Sequence, residues 1–341
     1  MRVAQVMAGA QYGGAETFFI RLTLALHRAG LHQKVIIRTH ANRAETLRRG
    51  GIEPVEAKFG GALDFATPRL LKRELAGYEP DIVLTWMNRA SSMCPKGDWV
   101  QVGRQGGYYD LKHYETCTHI IGNTQDITDN VVKGGWPTER VHYLPNFVTE
   151  EMARPIPRQT FFTPDTVPLI VALGRLHENK AFDVLLEALA RVPNAYLWIA
   201  GEGPRREELE KMAENLAVKP RVRFLGWRDD VAALLQTADL FVCPSRHEPL
   251  GNVVLEAWAV GKPIISTASE GPSWLIDDNV NGLIVPIDDH EGVGKAIDRL
   301  RSDAGLVSRL VENATEKLQK GYSRDAICDA YIDLFSGKRA G

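Results

Sequence analysis

Two stretches of the chain carry residues whose types and spacing suit phosphate and sugar chemistry. In the first, Gly174-Arg-Leu-His-Glu-Asn-Lys180, a glycine follows an apolar run and two cations follow the glycine. A glycine at a strand end lets the backbone turn sharply. Arg175 and Lys180 then stand in a strand-to-helix loop, where the N-terminus of the next helix adds partial positive charge. Fixed cations and N–H groups together can receive a diphosphate without a metal. The plainer alternative for this segment is a solvated basic loop.

The second stretch is Ser245-Arg-His-Glu-Pro-Leu-Gly-Asn-Val-Val-Leu-Glu256. Glu248 is expected in a loop after a strand, and Glu256 just over one turn inside the helix that follows. A loop carboxylate can accept protons from sugar hydroxyls, and a helix carboxylate can clasp a vicinal diol such as a ribose. Gly251 permits close backbone approach, and the N–H groups of Gly251 and Asn252 lie at the positive end of the helix. The alternative is a surface Glu plus a helix Glu paired with a Lys. Weaker signals are Gly13-Gly14-Ala15-Glu16, whose paired glycines expose N–H groups to an anion or sugar, and Ala200-Gly-Glu-Gly-Pro204, which reads as a structural turn with Pro in the first turn of a helix. Trp227 to Asp230 stands where a base would stack. Absent are a D-x-D pair for a divalent metal, a P-loop, G-x-S-x-G and H-E-x-x-H. His113, Cys117 and His119 lie close in sequence but read as a chance cluster rather than a zinc site.

These residues need rigid elements to hold them. Short β-branched or apolar runs alternate with amphipathic stretches on both sides of a proline-rich segment, 149–168, which holds Pro155, Pro157, Pro164 and Pro168. That alternation is the βαβ pattern of parallel sheets. Strands are expected at 3–7, 34–38, 82–85, 99–102, 120–122 and 141–143, then at 169–173, 195–200, 222–225, 240–243, 264–267 and 282–285. Helices are expected at 15–29, 43–49, 68–75 and 125–133, then at 182–191, 205–215, 229–236, 252–259 and 289–300. At 341 residues the chain exceeds one ordinary core, so two domains follow. The expected layout is a Rossmann-like domain at 1–150, a linker at 151–168, a second Rossmann-like domain at 169–320 and a C-terminal segment at 321–341. In open α/β sheets ligands lie beyond the carboxyl ends of the strands, which makes the cleft between two facing domains the expected site.

Composition excludes several classes. With 44% hydrophobic and 25% charged residues the chain is neither disordered nor a disulfide framework. The balance of 41 Lys+Arg against 43 Asp+Glu gives no bulk basicity for nucleic acid. Cys94, Cys117, Cys243 and Cys328 are scattered, as reduced thiols in a cytoplasm would be. No apolar run approaches a membrane span, and the N-terminus reads as a strand and glycine turn rather than a signal peptide. Charge is uneven: residues 1–50 hold 8 Lys+Arg and 2 Asp+Glu. The expected helix 15–29 sets Arg21 and Arg28 beside Phe18, Phe19 and Leu22. It reads either as a solvated rim or as a basic face resting weakly on an anionic membrane.

Taken together these segments resemble the family 4 retaining glycosyltransferases of the GT-B fold. The resemblance runs along nearly the whole chain and is most specific at GRLHENKAFDVLLEAL, AGEGPRREEL, FLGWRDDV and SRHEPLGNVVLEAWAVGKPII. It is weaker at GGAE, LPNFV and YSRDAICDAYIDLF, where residues 322–335 would form the last helix crossing back onto the first domain. The resemblance implies two Rossmann-like doubly wound domains facing a central cleft, with Arg175 and Lys180 on the donor diphosphate and Glu256 on the ribose. It also implies Glu248 against the transferred sugar, Gly251 and Asn252 nearby, and Gly13 and Gly14 lining the cleft. Such enzymes need no metal and no cofactor beyond the nucleotide-sugar substrate. This sequence departs from the family at Val102-Gly-Arg-Gln-Gly-Gly-Tyr-Tyr109 and at Thr85-Trp-Met-Asn-Arg89, where many members carry a His. No catalytic His is expected; Arg104 or Gln105 is expected to occupy its place, with Arg104 contacting substrate.

The implied activity is metal-independent, retaining transfer of a hexose from a nucleoside diphosphate sugar, UDP-sugar first and GDP-mannose second. The acceptor is a hydroxyl of a lipopolysaccharide core or lipid-linked glycan. A GT-B-type nucleotide-sugar epimerase and a non-catalytic nucleotide-sugar-binding protein are the alternatives. The expected location is the cytoplasm, peripheral on the inner face of the cytoplasmic membrane.

Overall fold

A computed structural model describes residues 1–10, 13–61, 63–148 and 153–339. The chain divides into two compact units: Met1–Phe147 with Arg324–Gly341, and Val148–Ser323. The expected boundary at 150/151 and the start of the expected linker lie outside the described residues.

In unit 1 the order is β1 (Arg2–Met7), α1 (Gly14–Arg28), β2 (His32–Arg38), α2 (Ala41–Arg49), β3 (Val55–Ala57), α3 (Ala66–Tyr78), β4 (Ile82–Trp86), α4 (Met87–Met93), β5 (Val100–Gln105), β6 (His119–Gly122), α5 (Gln125–Lys133) and β7 (Val141–Tyr143). Unit 2 continues with β8 (Leu169–Leu173), α6 (Phe182–Arg191), β9 (Tyr196–Ala200), α7 (Arg206–Asn215), β10 (Val222–Gly226), α8 (Val231–Thr237), β11 (Leu240–Cys243), α9 (Asn252–Ala259), β12 (Ile264–Thr267), α10 (Glu270–Leu275), β13 (Leu283–Val285), α11 (His290–Ser302) and α12 (Ala304–Gly321). The chain then returns to unit 1 for α13 (Arg324–Arg339).

Every described strand pairing is parallel. The sheet orders are β3-β2-β1-β4-β5-β6-β7 and β10-β9-β8-β11-β12-β13. The strands read as nearly continuous apolar runs because helices cover both faces. In β8, Ile170 and Ala172 join one core with Phe182, Leu185 and Leu189 of α6. Leu169 and Val171 join the opposite core with Leu255 and Trp258 of α9. Each sheet reverses its strand order at one place, between β1 and β4 and between β8 and β11. Loops at the carboxyl ends of strands beside such a reversal splay apart and leave room for a ligand.

Four elements fall outside the expected set: β3, α4, α10 and α12. The expected returning helix is shorter at its start, because Tyr322 packs in unit 2 and the helix opens at Arg324. The proposed membrane face of α1 also needs correction. Phe18, Phe19 and Leu22 are buried in the core of unit 1, beside Ile327, Tyr331 and Phe335 of α13. The helix is amphipathic because its apolar stripe packs inward, which leaves no apolar face beside Arg21 and Arg28 to rest on a membrane.

Candidate active site

The loops after β8 and β11 form one constellation at the sheet reversal of unit 2. Gly174 closes β8 with φ +149°, a conformation only glycine adopts without strain. A short turn over Glu178–Lys180 leads into α6. The aliphatic stem of Lys180 lies over Gly174, where an added Cβ would stand 3.3 Å from Lys180 Cδ. From there Lys180 Nζ donates to Glu248 Oε2 in the loop after β11. Glu248 is 9% exposed. Arg175 is exposed, and among the described residues its guanidinium makes no hydrogen bond or ion pair.

Two further loops hold these groups. The turn after β9 packs on the Arg175 loop: Leu176 N–H donates to Glu202 O at 3.0 Å, and Arg205 N–H to Leu176 O at 3.1 Å. That approach leaves no room for side chains, since a Cβ at Gly201 would stand 1.8 Å from Gly174 O and one at Gly203 2.3 Å from Leu176 O. The Gly-Glu-Gly-Pro turn is therefore structural, and what it supports is the backbone that carries Arg175. On the other side, the N–H groups of Arg246 and His247 donate to Asn179 O at 2.8 and 3.2 Å. The Arg246 side chain bonds Asp183 Oδ2 at 2.8 Å, Asp288 Oδ1 at 2.6 Å and Glu178 O at 3.0 Å. Burial works against charge on Asp183, yet Arg246 and Arg205 together hold its carboxyl below the ordinary range.

The loop into α10 completes the frame, and the sequence reading missed it. Glu270 Oε1 contacts His247 Nδ1 at 2.5 Å, and Glu270 Oε2 accepts from Glu248 N–H at 3.1 Å. Burial opposes charge on Glu270, but backbone N–H groups and His247 keep its carboxyl below the usual range. Gly271 N–H donates to Glu248 O at 2.8 Å, and a Cβ on Gly271 would stand 2.6 Å from Gly251 N. Ser269-Glu-Gly-Pro after a strand is a helix-start signal with an acidic first turn, which was there to be read. Gly251 has φ +64° and caps α9; Asn252 opens that helix, and Glu256 lies one turn further on. The buried Cys243 thiol beneath the loop is pushed up, first by burial and then by the Glu248 charge.

The structure thus brings Lys180 and Glu248 into contact and sets Arg175, Gly251, Asn252 and Glu256 on the same two strand-to-helix connections. Trp227 is 73% exposed after β10. Gly13 and Gly14 belong to unit 1, at the start of α1. There the Glu16 carboxylate folds back under the loop, accepting from Ala10 N–H at 2.7 Å, and a Cβ on Gly13 would meet Glu16 Oε2 at 2.3 Å.

Arg104 is the clear correction. It is 1% exposed, and its guanidinium rests against the rings of Phe18 and Trp86, 4.7 and 4.5 Å from their centroids. Its Nε donates to Tyr331 Oη at 2.8 Å and its Nη2 to Asn146 Oδ1 at 2.6 Å. A guanidinium so buried and bonded ties α13 to the sheet of unit 1, which accounts for its place in the core without a substrate.

Residues 154–317 match the family described as glycosyl transferases group 1. Over 331 residues the chain is 39% identical to the lipopolysaccharide core biosynthesis glycosyltransferase LpsE of Rhizobium meliloti (strain 1021), with 96% of each covered. The chain belongs to this glycosyltransferase family. This group 1 glycosyltransferase is also 36% identical to LpsD of the same organism, with 98% of each covered. Two solved structures share its GT-B fold. A glycosyltransferase from Rickettsia africae ESF-5 superposes with TM-score 0.89 at 18% identity, covering 99% of this chain and 98% of that one. Anabaena Alr3699/HepE in complex with UDP superposes with TM-score 0.85 at 19% identity, covering 99% and 100%.

Proposed function

We propose that this glycosyltransferase moves a hexose from a nucleoside diphosphate sugar to a hydroxyl of the lipopolysaccharide core, with retention of anomeric configuration and without a metal. The observation that carries the reading is the contact between Lys180 and Glu248 at the sheet reversal, in a chain that matches two relatives named for core biosynthesis along almost its full length. The UDP held by Anabaena Alr3699/HepE favours a UDP-sugar as donor.

In this reading the donor diphosphate lies against Arg175 and Lys180, and the ribose against Glu256. Glu248 accepts from hydroxyls of the transferred sugar. Departure of the diphosphate leaves an oxocarbenium-like centre and places charge on oxygen. In this reading Arg175, Lys180 and the N–H groups at the start of α9 stabilise that charge as it develops. Because Lys180 already pairs with Glu248, one cation links the leaving group to the sugar-binding carboxylate. In this reading no side chain of the constellation acts as a covalent nucleophile. Attack from the face the diphosphate leaves, with a phosphate oxygen taking the acceptor proton, accounts for retention.

The test is product analysis. Purified protein, a panel of UDP-, GDP- and ADP-sugars and truncated core acceptor are incubated with EDTA, and the new anomeric linkage is read by NMR. Retained configuration with a UDP-sugar is expected. An inverted product, or turnover abolished by EDTA and restored by manganese, would overturn the mechanism; isomerised donor without acceptor would point to an epimerase.

A further inference from the structure

We propose that His247 is a further substrate-contacting residue of the donor site: with Glu270 fixing its ring, its Nε2 accepts a hydrogen bond from a hydroxyl of the transferred hexose and so helps to select the sugar. The inference rests on the reading above that the hexose lies against Glu248, and it concerns a side chain to which that reading gives no role.

The tautomer of His247 follows from its partner. Glu270 Oε1 stands 2.5 Å from His247 Nδ1, while Glu270 Oε2 accepts from Glu248 N–H at 3.1 Å. Against the pull of burial, backbone N–H groups and His247 hold this carboxyl below the usual range, and an ionised carboxylate can only accept. The proton of the contact therefore sits on Nδ1, and the neutral ring carries its lone pair on Nε2. A carboxylate that fixes tautomer and orientation in this way turns a histidine into a directed acceptor.

That acceptor stands beside Glu248 and is not consumed by the fold. The His247 side chain is 45% exposed, and among the described residues only the Nδ1 of its ring is engaged. Both ends of the residue are tied down, since its N–H donates to Asn179 O at 3.2 Å and its ring is held by Glu270. One carboxylate group thus bridges the ring of His247 and the backbone of Glu248. The charged neighbours are paired: Lys180 with Glu248, and Arg246 with Asp183, Asp288 and Glu178 O. A lone pair flanked by the carboxylates of Glu248 and Glu270 suits a hydroxyl hydrogen and repels a phosphate oxygen, which assigns it to the sugar and not to the diphosphate.

The experiment is calorimetric titration of the full chain with UDP-glucose, UDP-galactose and GDP-mannose, each against its own nucleoside diphosphate, together with nitrogen NMR of the histidine rings. His247→Asn keeps a donor for Glu270 and removes Nε2. It is expected to lower affinity for the nucleotide sugar that the wild type prefers about three- to tenfold, with affinity for the bare diphosphate kept. In Glu270→Gln the carboxamide oxygen stays on Glu248 N–H, which turns the NH2 toward Nδ1 and drives the ring proton to Nε2. The NMR reads that tautomer change directly, and a similar loss of sugar affinity is expected with it. In the neutral wild-type ring Nε2 is expected to be bare, and its resonance to shift with the nucleotide sugar but not with the diphosphate. Wild-type sugar affinity in His247→Asn, or a proton on Nε2 in the neutral wild-type ring, would overturn the proposal. Glu248→Gln separates this inference from the reading it rests on. Undiminished sugar affinity there would overturn the placement of the hexose, whereas a loss there with none in His247→Asn overturns the role of His247 alone.

Discussion

Lys180 and Glu248 lie 68 positions apart in the chain, yet the ammonium of one donates to the carboxylate of the other. Their loops follow β8 and β11, the two strands between which the order of the second sheet reverses. Neither strand is the other's neighbour in sequence, so the contact exists only because the crossover connections place β8 and β11 side by side, with Leu240 against Ile170. The two loops are also joined through their backbones, where Arg246 and His247 N–H donate to Asn179 O at 2.8 and 3.2 Å.

Removing either partner should cost turnover through the other. Lys180→Ala is expected to lower kcat by roughly 10²–10³ if it stabilises the leaving diphosphate. Glu248→Gln should lower kcat as well. The double variant should be less impaired than the product of the single effects, because each single change leaves one charge without its partner. Steady-state kinetics on the four proteins of the cycle measure this, and fully multiplicative effects would show that the two act separately.

Gly201→Ala should damage donor binding without touching a ligand. The added methyl would stand 1.8 Å from Gly174 O at a backbone φ of +150°. Relief requires the loop carrying Arg175 to move. The strain corresponds to about 1–3 kcal/mol, or several degrees in melting temperature. Calorimetry and a UDP titration would detect both effects, and wild-type UDP affinity would refute the link between this turn and Arg175.

Arg104→Met should behave as a stability variant. It leaves the Tyr331 hydroxyl and the Asn146 amide oxygen without their charged donor, a loss of about 2–3 kcal/mol. Unit 1 should melt earlier and α13 should exchange its amide hydrogens faster, while affinity for UDP stays that of the wild type. A fall in UDP affinity with unchanged exchange would return Arg104 to the substrate.

Acid should loosen the donor loops. Arg246 and Arg205 hold Asp183 below the ordinary carboxylate range against the opposing effect of burial. A depressed folded pKa contributes stability that is fully present above the unfolded value, about 4, and is lost as pH falls through the folded value. Stability and UDP affinity are therefore expected to decline together below about pH 4. Asp183→Asn should be weaker at neutral pH and less sensitive to acid; denaturant titrations from pH 3 to 7 compare the slopes.

Much of the architecture was legible because parallel strands buried on both faces leave apolar runs, and the loops after them carry glycine and proline. The expected 141–143, 169–173 and 240–243 strands and the 182–191 and 252–259 helices coincide with observed elements. Helix α12 was readable but not read: Leu306, Leu310, Ala314 and Leu318 recur every fourth residue. Strand β3 is three residues long and α10 six, too short for periodicity to mark.

The sequence by itself determined the chemistry on offer: two cations after one strand, two carboxylates after another, and glycines where the backbone must turn. Local spacing suffices for this because a strand-to-helix loop is a local object. Tertiary structure decided which of those groups meet. Arg104 shows why that decision is invisible in one dimension, since a cation beside an expected substrate loop is bound instead by aromatic rings and by a helix more than two hundred residues away.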